Sequence, residues 1–226
     1  MPLKIAGITA IIFDLDGTLI DSSVAVVEAF NGALGRKGYA AAPADAICAA
    51  IGNPLPVMFA PHVPAGQDLN EMVALYRECY SPIYLEKTRL IDGVAEALAG
   101  LSRAGFALGI ATTKPRYFTE PILTHLGVRG YFSAIVGAED VKNLKPAPDT
   151  LIRAMEILGR NSGETIFVGD TPLDIGAARA AGVPVACVLT GHTPPEFIRQ
   201  SRPDAVFDDL PAFVKWILSQ RRRGDS

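Results

Sequence analysis

Two aspartates separated by one residue follow an apolar run near the amino terminus. The run 11–13 continues from Ala10 and is followed by Asp14, Asp16 and Gly17. A short apolar run with β-branched and aromatic residues is typical of a strand buried on both faces. Because ligands bind beyond the carboxyl ends of the strands in an open parallel sheet, the pattern places two carboxylates where such a fold has its chemistry. An ordinary Asp-Gly turn would also fit these residues.

Polar residues also stand beyond later apolar runs. Thr112 follows one run, Asp170 and Asp174 follow another, and Lys145 is predicted to open a helix. Because parallel strands end at one edge of a sheet, we expect these side chains to converge. Several buried acids beside a lysine are costly unless a cation and an anion share the site. Carboxylates suit Mg²⁺, and a lysine and a hydroxyl suit phosphate oxygens.

The elements that must position these groups alternate between strand and helix. Strands are predicted at residues 10–13, 106–111, 134–136, 165–168, 183–189 and 205–207. The helices between them imply a parallel sheet with right-handed crossovers. Residues 21–87 break the alternation and are predicted as helices without a strand. We therefore predict an α/β, doubly wound core of residues 1–20 and 88–226 with an inserted helical cap, hinged near 20–23 and 86–90.

Composition narrows the class of protein. The 226 residues, 49% of them hydrophobic, suffice for one core with a small inserted domain. A net charge of −3 gives no basis for a nucleic-acid or anionic-membrane partner. The three cysteines have neither disulfide nor zinc spacing. No charged region precedes a cleavable apolar segment and no apolar run has membrane length, so we expect neither a signal peptide nor a membrane span. We expect a soluble cytoplasmic protein, a monomer or homodimer, that acts on a small molecule.

Four short motifs together resemble the signatures of the haloacid dehalogenase superfamily, in its phosphatase branch. They are Asp14-Leu15-Asp16-Gly17-Thr18, Thr112 within residues 110–115, Lys145 within 145–149, and Gly169-Asp170-Thr171-Pro172-Leu173-Asp174. Their order and spacing match over essentially the whole chain, and the helical insertion resembles the family's C1-type cap. The Thr-Lys-Pro run after Thr112 is most similar to the phosphoglycolate phosphatase-like subgroup.

The resemblance implies a phosphatase that hydrolyses a small phosphomonoester through an aspartyl-phosphate. Asp14 would be the nucleophile. Asp16 would protonate the leaving oxygen and then take a proton from the hydrolytic water. Thr112 and Lys145 would bind the transferring phosphoryl group and offset its charge.

The resemblance also implies a Mg²⁺ cofactor. The metal would bind the carboxylates of Asp14 and Asp170 and the backbone carbonyl of Asp16. Asp174 would hold metal-bound waters or orient Lys145.

Contacts to the substrate are expected from residues beside these motifs. Gly17 lets the backbone approach the ligand closely, and Thr113 and Lys114 follow Thr112 in the sequence. Between Lys37 and Arg77 the sequence has no lysine or arginine. A second anionic group on the substrate would therefore be met by Lys114, Arg116 or Arg77, or else the leaving group is neutral and partly apolar.

Several alternative functions share these features. A phosphomutase of the β-phosphoglucomutase type has the same four motifs, and a pyrophosphatase or nucleotidase of the same superfamily is also open. The dehalogenases of the superfamily do not keep the second aspartate, so Asp16 argues against that branch. A non-catalytic phospho-acceptor is disfavoured by the intact first motif and the helical insertion.

Overall fold

The computed structural model describes residues 7–224 and contains a six-stranded sheet beside a two-stranded one. The strands are β1 (Ala10–Phe13), β2 (Ile20–Asp21), β3 (Arg89–Leu90), β4 (Ala107–Ala111), β5 (Ala134–Val136), β6 (Thr165–Gly169), β7 (Val185–Val188) and β8 (Ala205–Phe207). The large sheet has the order β5-β4-β1-β6-β7-β8 and every pairing in it is parallel. The predicted fold class is confirmed. Residues 1–6 and 225–226 of the predicted core lie outside the described range.

Strand β1 lies at the point where the direction of winding reverses. The chain passes from β1 to β4 and β5 on one side and returns to β6, β7 and β8 on the other. Such a switch point is where doubly wound sheets bind ligands. It places the residues after Phe13 in the crevice between two diverging crossovers.

Helices cover both faces of the large sheet. Within residues 7–224 the core helices are α5 (Val94–Arg103), α6 (Arg116–His125), α7 (Asp149–Leu158), α8 (Pro172–Ala181), α9 (Pro195–Gln200) and α10 (Leu210–Gly224). On one face, Phe13 and neighbouring strand residues pack with Leu98 and Phe213. On the other, Phe167 packs with Leu151 and Ile175. Burial of both faces explains why the strands are apolar throughout.

The insertion between β2 and β3 has a hydrophobic cluster of its own. Its helices are α1 (Ser23–Arg36), α2 (Ala44–Ala49), α3 (Leu55–Phe59) and α4 (Leu69–Tyr80). The rings of Phe30 on α1 and Phe59 on α3 stack at a centroid distance of 4.0 Å, and Tyr76 and Tyr80 of α4 belong to the same cluster. Phe118 of α6 also packs into it, so one core helix contacts the insertion through an aromatic ring.

The two connections between core and insertion pair with each other. Ile20 faces Leu90 and Asp21 faces Arg89 in an antiparallel ladder, where the sequence predicted no strand. The pairing was not recognised because each strand has only two residues and a mixed polar pattern.

Three further elements differ from the prediction. Lys145 does not open a helix, since α7 begins at Asp149 and Lys145 lies in the preceding turn. The alanine-rich residues 175–181 predict a helix that begins at Ile175, but α8 begins at Pro172, because proline fits the first turn of a helix. Helix α9 was not predicted at all. In each case prolines obscured where the helix begins.

Candidate active site

Asp14 and Lys145 form a buried ion pair at the carboxyl end of β1. The backbone N–H of Asp14 donates to the carbonyl of Val168 at 2.8 Å, which continues the ladder between β1 and β6. Its Oδ1 lies 2.7 Å from Nζ of Lys145, and both side chains are almost completely buried. The loop before α7 thus places the ammonium of Lys145 at the carboxyl end of β1, beside the first motif.

Asp174 fixes both Lys145 and the start of α8. Its Oδ1 accepts a 2.6 Å hydrogen bond from Nζ of Lys145. Its Oδ2 accepts from the hydroxyl of Thr171 at 2.6 Å and from that residue's backbone N–H at 3.0 Å. Thr171 is the N-cap of α8, so the two residues form a reciprocal capping box. Both carboxylate oxygens of Asp174 therefore have protein partners.

Asp170 completes the acidic cluster from the end of β6. Its Oδ1 accepts a 2.9 Å hydrogen bond from the hydroxyl of Thr18. Two glycines face its other oxygen. A Cβ built on Gly17, where φ is +81°, would lie 2.3 Å from Oδ2 of Asp170, and one on Gly191 would lie 1.8 Å from it. Only glycine fits at either position while the carboxylate stays where it is.

Asp14, Asp170 and Asp174 could hold a metal ion together. Each is buried, and each offers an oxygen within 4.8 Å of those of the other two. The pKa of Asp14 is raised to about 7, chiefly by burial; Lys145 opposes this rise, and the charges of Asp174 and Asp16 add to it. Burial, and then the charges of Asp174 and Asp14, raise the pKa of Asp170 well above its usual range. Hard carboxylate oxygens that repel one another fit a divalent cation such as Mg²⁺.

The side chain of Asp16 turns away from this cluster. Its Oδ1 accepts a hydrogen bond from the hydroxyl of Ser22 and lies 3.3 Å from Nζ of Lys114. Asp16 also lines a cavity of about 270 Å³ between the insertion and the core. The carboxylate of Asp16 is therefore not part of the cluster formed by Asp14, Asp170 and Asp174.

Lys114 joins Asp16 to the insertion. Its Nζ donates a 2.9 Å hydrogen bond to the hydroxyl of Tyr80 on α4. Burial lowers the pKa of Lys114, but Asp16, Tyr80 and Tyr76 outweigh it and raise the pKa above its usual value. The ammonium is therefore charged at neutral pH, although only 9% of its side chain is exposed.

Thr112 and Thr113, which precede Lys114, form hydrogen bonds that hold the loop after β4 in place. The backbone N–H of Thr112 donates to the carbonyl of Val136 at 3.0 Å. Its hydroxyl accepts from the N–H of Lys114 at 3.2 Å. The hydroxyl of Thr113 donates to the carbonyl of Gly52 in the insertion at 3.1 Å. Thr112 thus fixes the loop to the sheet, and Thr113 fixes it to the insertion.

The structure brings together the acids and the lysine that the sequence singled out, in two adjoining groups. Asp14, Lys145, Asp170 and Asp174 form the buried cluster, and Asp16 and Lys114 form the wall of the cavity. Sequence reasoning missed several residues that hold these groups. They are Thr18, Ser22, Tyr80, Thr171 and Gly191. Thr18 and Thr171 lie inside the motifs, and Gly191 follows the end of β7. A search of the residues after every strand would therefore have found these three.

The described helices of residues 7–224 include none whose length and apolarity would let it traverse a lipid bilayer.

Comparison with known proteins gives matches over nearly the whole chain. Residues 11–188 match the family model of haloacid dehalogenase-like hydrolases. A phosphoglycolate phosphatase from Yersinia pseudotuberculosis is 38% identical, with 93% of this chain and 95% of that protein covered. The plasmid-encoded phosphoglycolate phosphatase of Cupriavidus necator is 32% identical, with 94% of each chain covered.

Solved structures show the same fold. A haloacid dehalogenase-like family hydrolase from Streptococcus pneumoniae superposes with a TM-score of 0.86 at 27% identity, covering 94% of this chain and 99% of that one. A predicted phosphoglycolate phosphatase from Haemophilus somnus superposes with a TM-score of 0.85 at 28% identity, covering 93% and 98%.

Proposed function

The chain belongs to the haloacid dehalogenase-like hydrolase family and is a phosphatase, and from this premise we propose that it hydrolyses a small phosphomonoester, of the phosphoglycolate type, with Mg²⁺ as its cofactor. The observation that carries the proposal is the placement of two aspartates two residues apart. Asp14 is buried against Lys145, and Asp16 faces the cavity. One carboxylate is thus held for attack on phosphorus and the other for proton transfer to the leaving group.

The reaction follows from these positions in two steps. An oxygen of Asp14 forms a bond to phosphorus while the bond to the ester oxygen breaks, and Asp16 gives that oxygen a proton. Water then attacks the phosphorus of the aspartyl-phosphate, Asp16 takes back a proton, and Asp14 and inorganic phosphate are released. Ser22 and Lys114 hold the carboxylate of Asp16 from two sides during both steps.

The buried cluster binds and positions the phosphoryl group. Lys145 is kept beside Asp14 by Asp174 and supplies positive charge to the phosphoryl oxygens. The hydroxyl of Thr112 lies at the end of the neighbouring strand β4 and has a proton to donate to the same group. Positioning and charge stabilisation are most of what phosphoryl transfer requires.

Asp14, Asp170 and the backbone carbonyl of Asp16 would hold Mg²⁺. When bound, the cation neutralises charge on the phosphoryl oxygens and on the repelling carboxylates. Asp174 is already used by Lys145 and Thr171, so we assign it to the orientation of Lys145.

The relatives favour one substrate among the possibilities. Proteins at 32–38% identity over more than 90% of the chain are phosphoglycolate phosphatases, and we propose the same substrate type here. A β-phosphoglucomutase-type mutase shares the four motifs but would return the phosphoryl group to a sugar instead of releasing it. A pyrophosphatase or nucleotidase would differ in its leaving group alone.

Phosphate release from a panel of esters tests this proposal. The panel contains 2-phosphoglycolate, pyrophosphate, a mononucleotide and glucose 1-phosphate, each with Mg²⁺ and with EDTA. We expect turnover of 2-phosphoglycolate that EDTA and Asp14→Asn abolish, whereas the exposed-acid control Asp45→Asn retains it. Transfer to a sugar with no phosphate release would identify a mutase, and turnover that survives in Asp14→Asn would rule out the aspartyl-phosphate route.

A further inference from the structure

The cavity that Asp16 shares with Lys114 is lined mainly by apolar groups. Its volume is about 270 Å³, and Pro56, Tyr76 and Phe118 contribute to its walls. Ligand cavities typically have volumes of about 300–1,000 Å³, so this one suits a leaving group of few atoms.

Lys114 provides a buried positive charge in that wall. Its ammonium donates to the hydroxyl of Tyr80 and lies 3.3 Å from Oδ1 of Asp16. An ammonium has three hydrogens to donate, so one direction remains for a ligand beyond these two partners. A cation withdrawn from water interacts strongly with an anion brought into the same cavity.

The other cations near the cavity are less suited to this role. Arg77 lines it but is exposed, and its guanidinium carbon lies 6.0 Å from the ring centroid of Tyr117. Arg116, which the sequence also suggested, pairs with Asp140 at 3.2 Å and is not among the residues that line the cavity.

The contact between Lys114 and Asp16 limits the length of the leaving group. In the proposed reaction Asp16 donates its proton to the leaving oxygen, and Lys114 touches the same carboxylate of Asp16. An anionic group that reaches Lys114 must therefore lie close to the leaving oxygen. A carboxylate attached directly to the ester carbon, as in 2-phosphoglycolate, meets this condition, whereas a second phosphate at the far end of a sugar does not.

We propose that Lys114 is the residue that selects the substrate, by binding a carboxylate attached directly to the ester carbon of the leaving alcohol. This inference rests on the proposed phosphatase function. Under this inference, Lys114 alone makes the enzyme prefer 2-phospho-α-hydroxy acids to phosphoesters with a neutral leaving group. Arg77 lines the cavity at its exposed side and does not contact the bound carboxylate.

The test compares two substrates of similar size in three proteins. The substrates are 2-phosphoglycolate and 2-hydroxyethyl phosphate, whose leaving group is neutral. Lys114→Met keeps the length of the side chain without its charge, and Arg116→Met removes a neighbouring cation outside the cavity. We expect Lys114→Met to lower kcat/KM for 2-phosphoglycolate by about 100-fold, as for loss of a charge-assisted contact, and to lower it far less for 2-hydroxyethyl phosphate. Arg116→Met should preserve the preference.

The outcomes separate this inference from the proposed function. Equal losses for both substrates would show that Lys114 acts only through Asp16, and would overturn the inference. A wild-type enzyme that hydrolyses both esters equally would overturn it too, while leaving the phosphatase intact. Hydrolysis of neither would contradict the proposed function itself.

A binding measurement on the wild type covers the case in which Lys114→Met does not fold. We expect 3-phosphonopropionate, in which a methylene replaces the ester oxygen, to bind at least about tenfold more tightly than propylphosphonate, because only the former has the carboxylate. Equal dissociation constants would overturn the inference. Lys114→Arg, which keeps the charge, is expected to retain part of the difference.

Discussion

Oδ1 of Asp174 and Nζ of Lys145 are joined by a 2.6 Å hydrogen bond between two side chains that are both almost fully buried. The bond links the fourth motif, at the start of α8, to the third motif, in the turn before α7. Because the other oxygen of Asp174 caps α8 through Thr171, one carboxylate couples the position of the lysine to the start of a helix. This supports orientation of Lys145, rather than direct metal binding, as the main role of Asp174.

Asp174→Asn is expected to lower kcat by about 100-fold or more, because the amide has no charge and only one acceptor oxygen, so it cannot accept from both Lys145 and Thr171. The deficit should persist at saturating Mg²⁺, whereas a variant that only weakened metal binding would recover. We also expect unfolding in urea to show a loss of about 2–4 kcal/mol, since a buried charge loses a partner. A full recovery of kcat at high Mg²⁺ would assign Asp174 to the metal instead.

Mg²⁺ is expected to stabilise the folded protein in proportion to its binding. At a concentration of 100 times Kd the gain in the free energy of unfolding would be about 2.7 kcal/mol. Asp170→Asn should remove most of the shift in Tm on adding Mg²⁺, because Asp170 is the acid whose remaining oxygen faces the glycine-lined gap. Asp45→Asn, an exposed acid in α2, serves as the control. An identical Mg²⁺-induced shift in Asp170→Asn would contradict the assigned metal site.

Tyr80→Phe tests the contact between the insertion and Lys114. The hydroxyl of Tyr80 accepts a 2.9 Å hydrogen bond from the buried ammonium, and an unpaired buried donor costs about 1–3 kcal/mol. We expect a lower Tm and a kcat/KM for 2-phosphoglycolate reduced by roughly 3- to 10-fold, in line with the loss of one such hydrogen bond. Tyr84→Phe removes a hydroxyl from the ring stacked on Tyr80 and should change neither. If both variants lowered Tm and kcat/KM equally, the losses would be due to packing of the rings and not to the hydrogen bond from Lys114.

The environment of Asp21 in the β2–β3 pairing predicts a pH dependence of stability. Burial raises its pKa, but hydrogen bonds from Ser23 and Arg89 outweigh this and hold the pKa below its usual value. Its contribution is therefore present above the unfolded-state pKa of about 3.9 and is lost as the pH falls through the lower folded-state pKa. Because Arg89 is largely exposed, Asp21→Asn should cost only about 0.5 kcal/mol at pH 7.

Urea unfolding of wild type and Asp21→Asn at pH 7, 4 and 2 measures this contribution. The difference between the two proteins should shrink below about pH 4 and vanish at the lowest pH, where both carry a neutral side chain at this position. A difference that stays constant over the whole range would mean that the asparagine disturbs the β2–β3 pairing by its shape and not by its charge.

The sequence predicted the site best where parallel strands position it. Asp14 and Asp170 converge because β1 and β6 end at the same edge of the sheet, which alternating strands and helices predict. The two strands are also adjacent, which the alternation does not predict. Lys145 was expected at a helix start and lies in a turn, since the prolines around it shift the start of α7 to Asp149. The partnership of Tyr80 with Lys114 could not be predicted, because helical periodicity gives the buried face of α4 but not what that face contacts.

Gly191 is the residue outside all four motifs on which the metal site is expected to depend. Its Cα lies so close to Asp170 that an added Cβ would be 1.8 Å from Oδ2, so Gly191→Ala must displace the carboxylate or the loop. We expect the affinity for Mg²⁺ to fall by roughly 10- to 100-fold, as for other changes that misplace a ligand, measured as the Mg²⁺ concentration that gives half-maximal turnover. Gly35→Ala in α1, where a Cβ meets no atom within 4 Å, is the matched control and should leave that concentration unchanged. Wild-type Mg²⁺ dependence in Gly191→Ala would contradict this expectation. It would show that Asp170 can move without losing the cation, and that the close approach of Gly191 to Asp170 contributes only to packing.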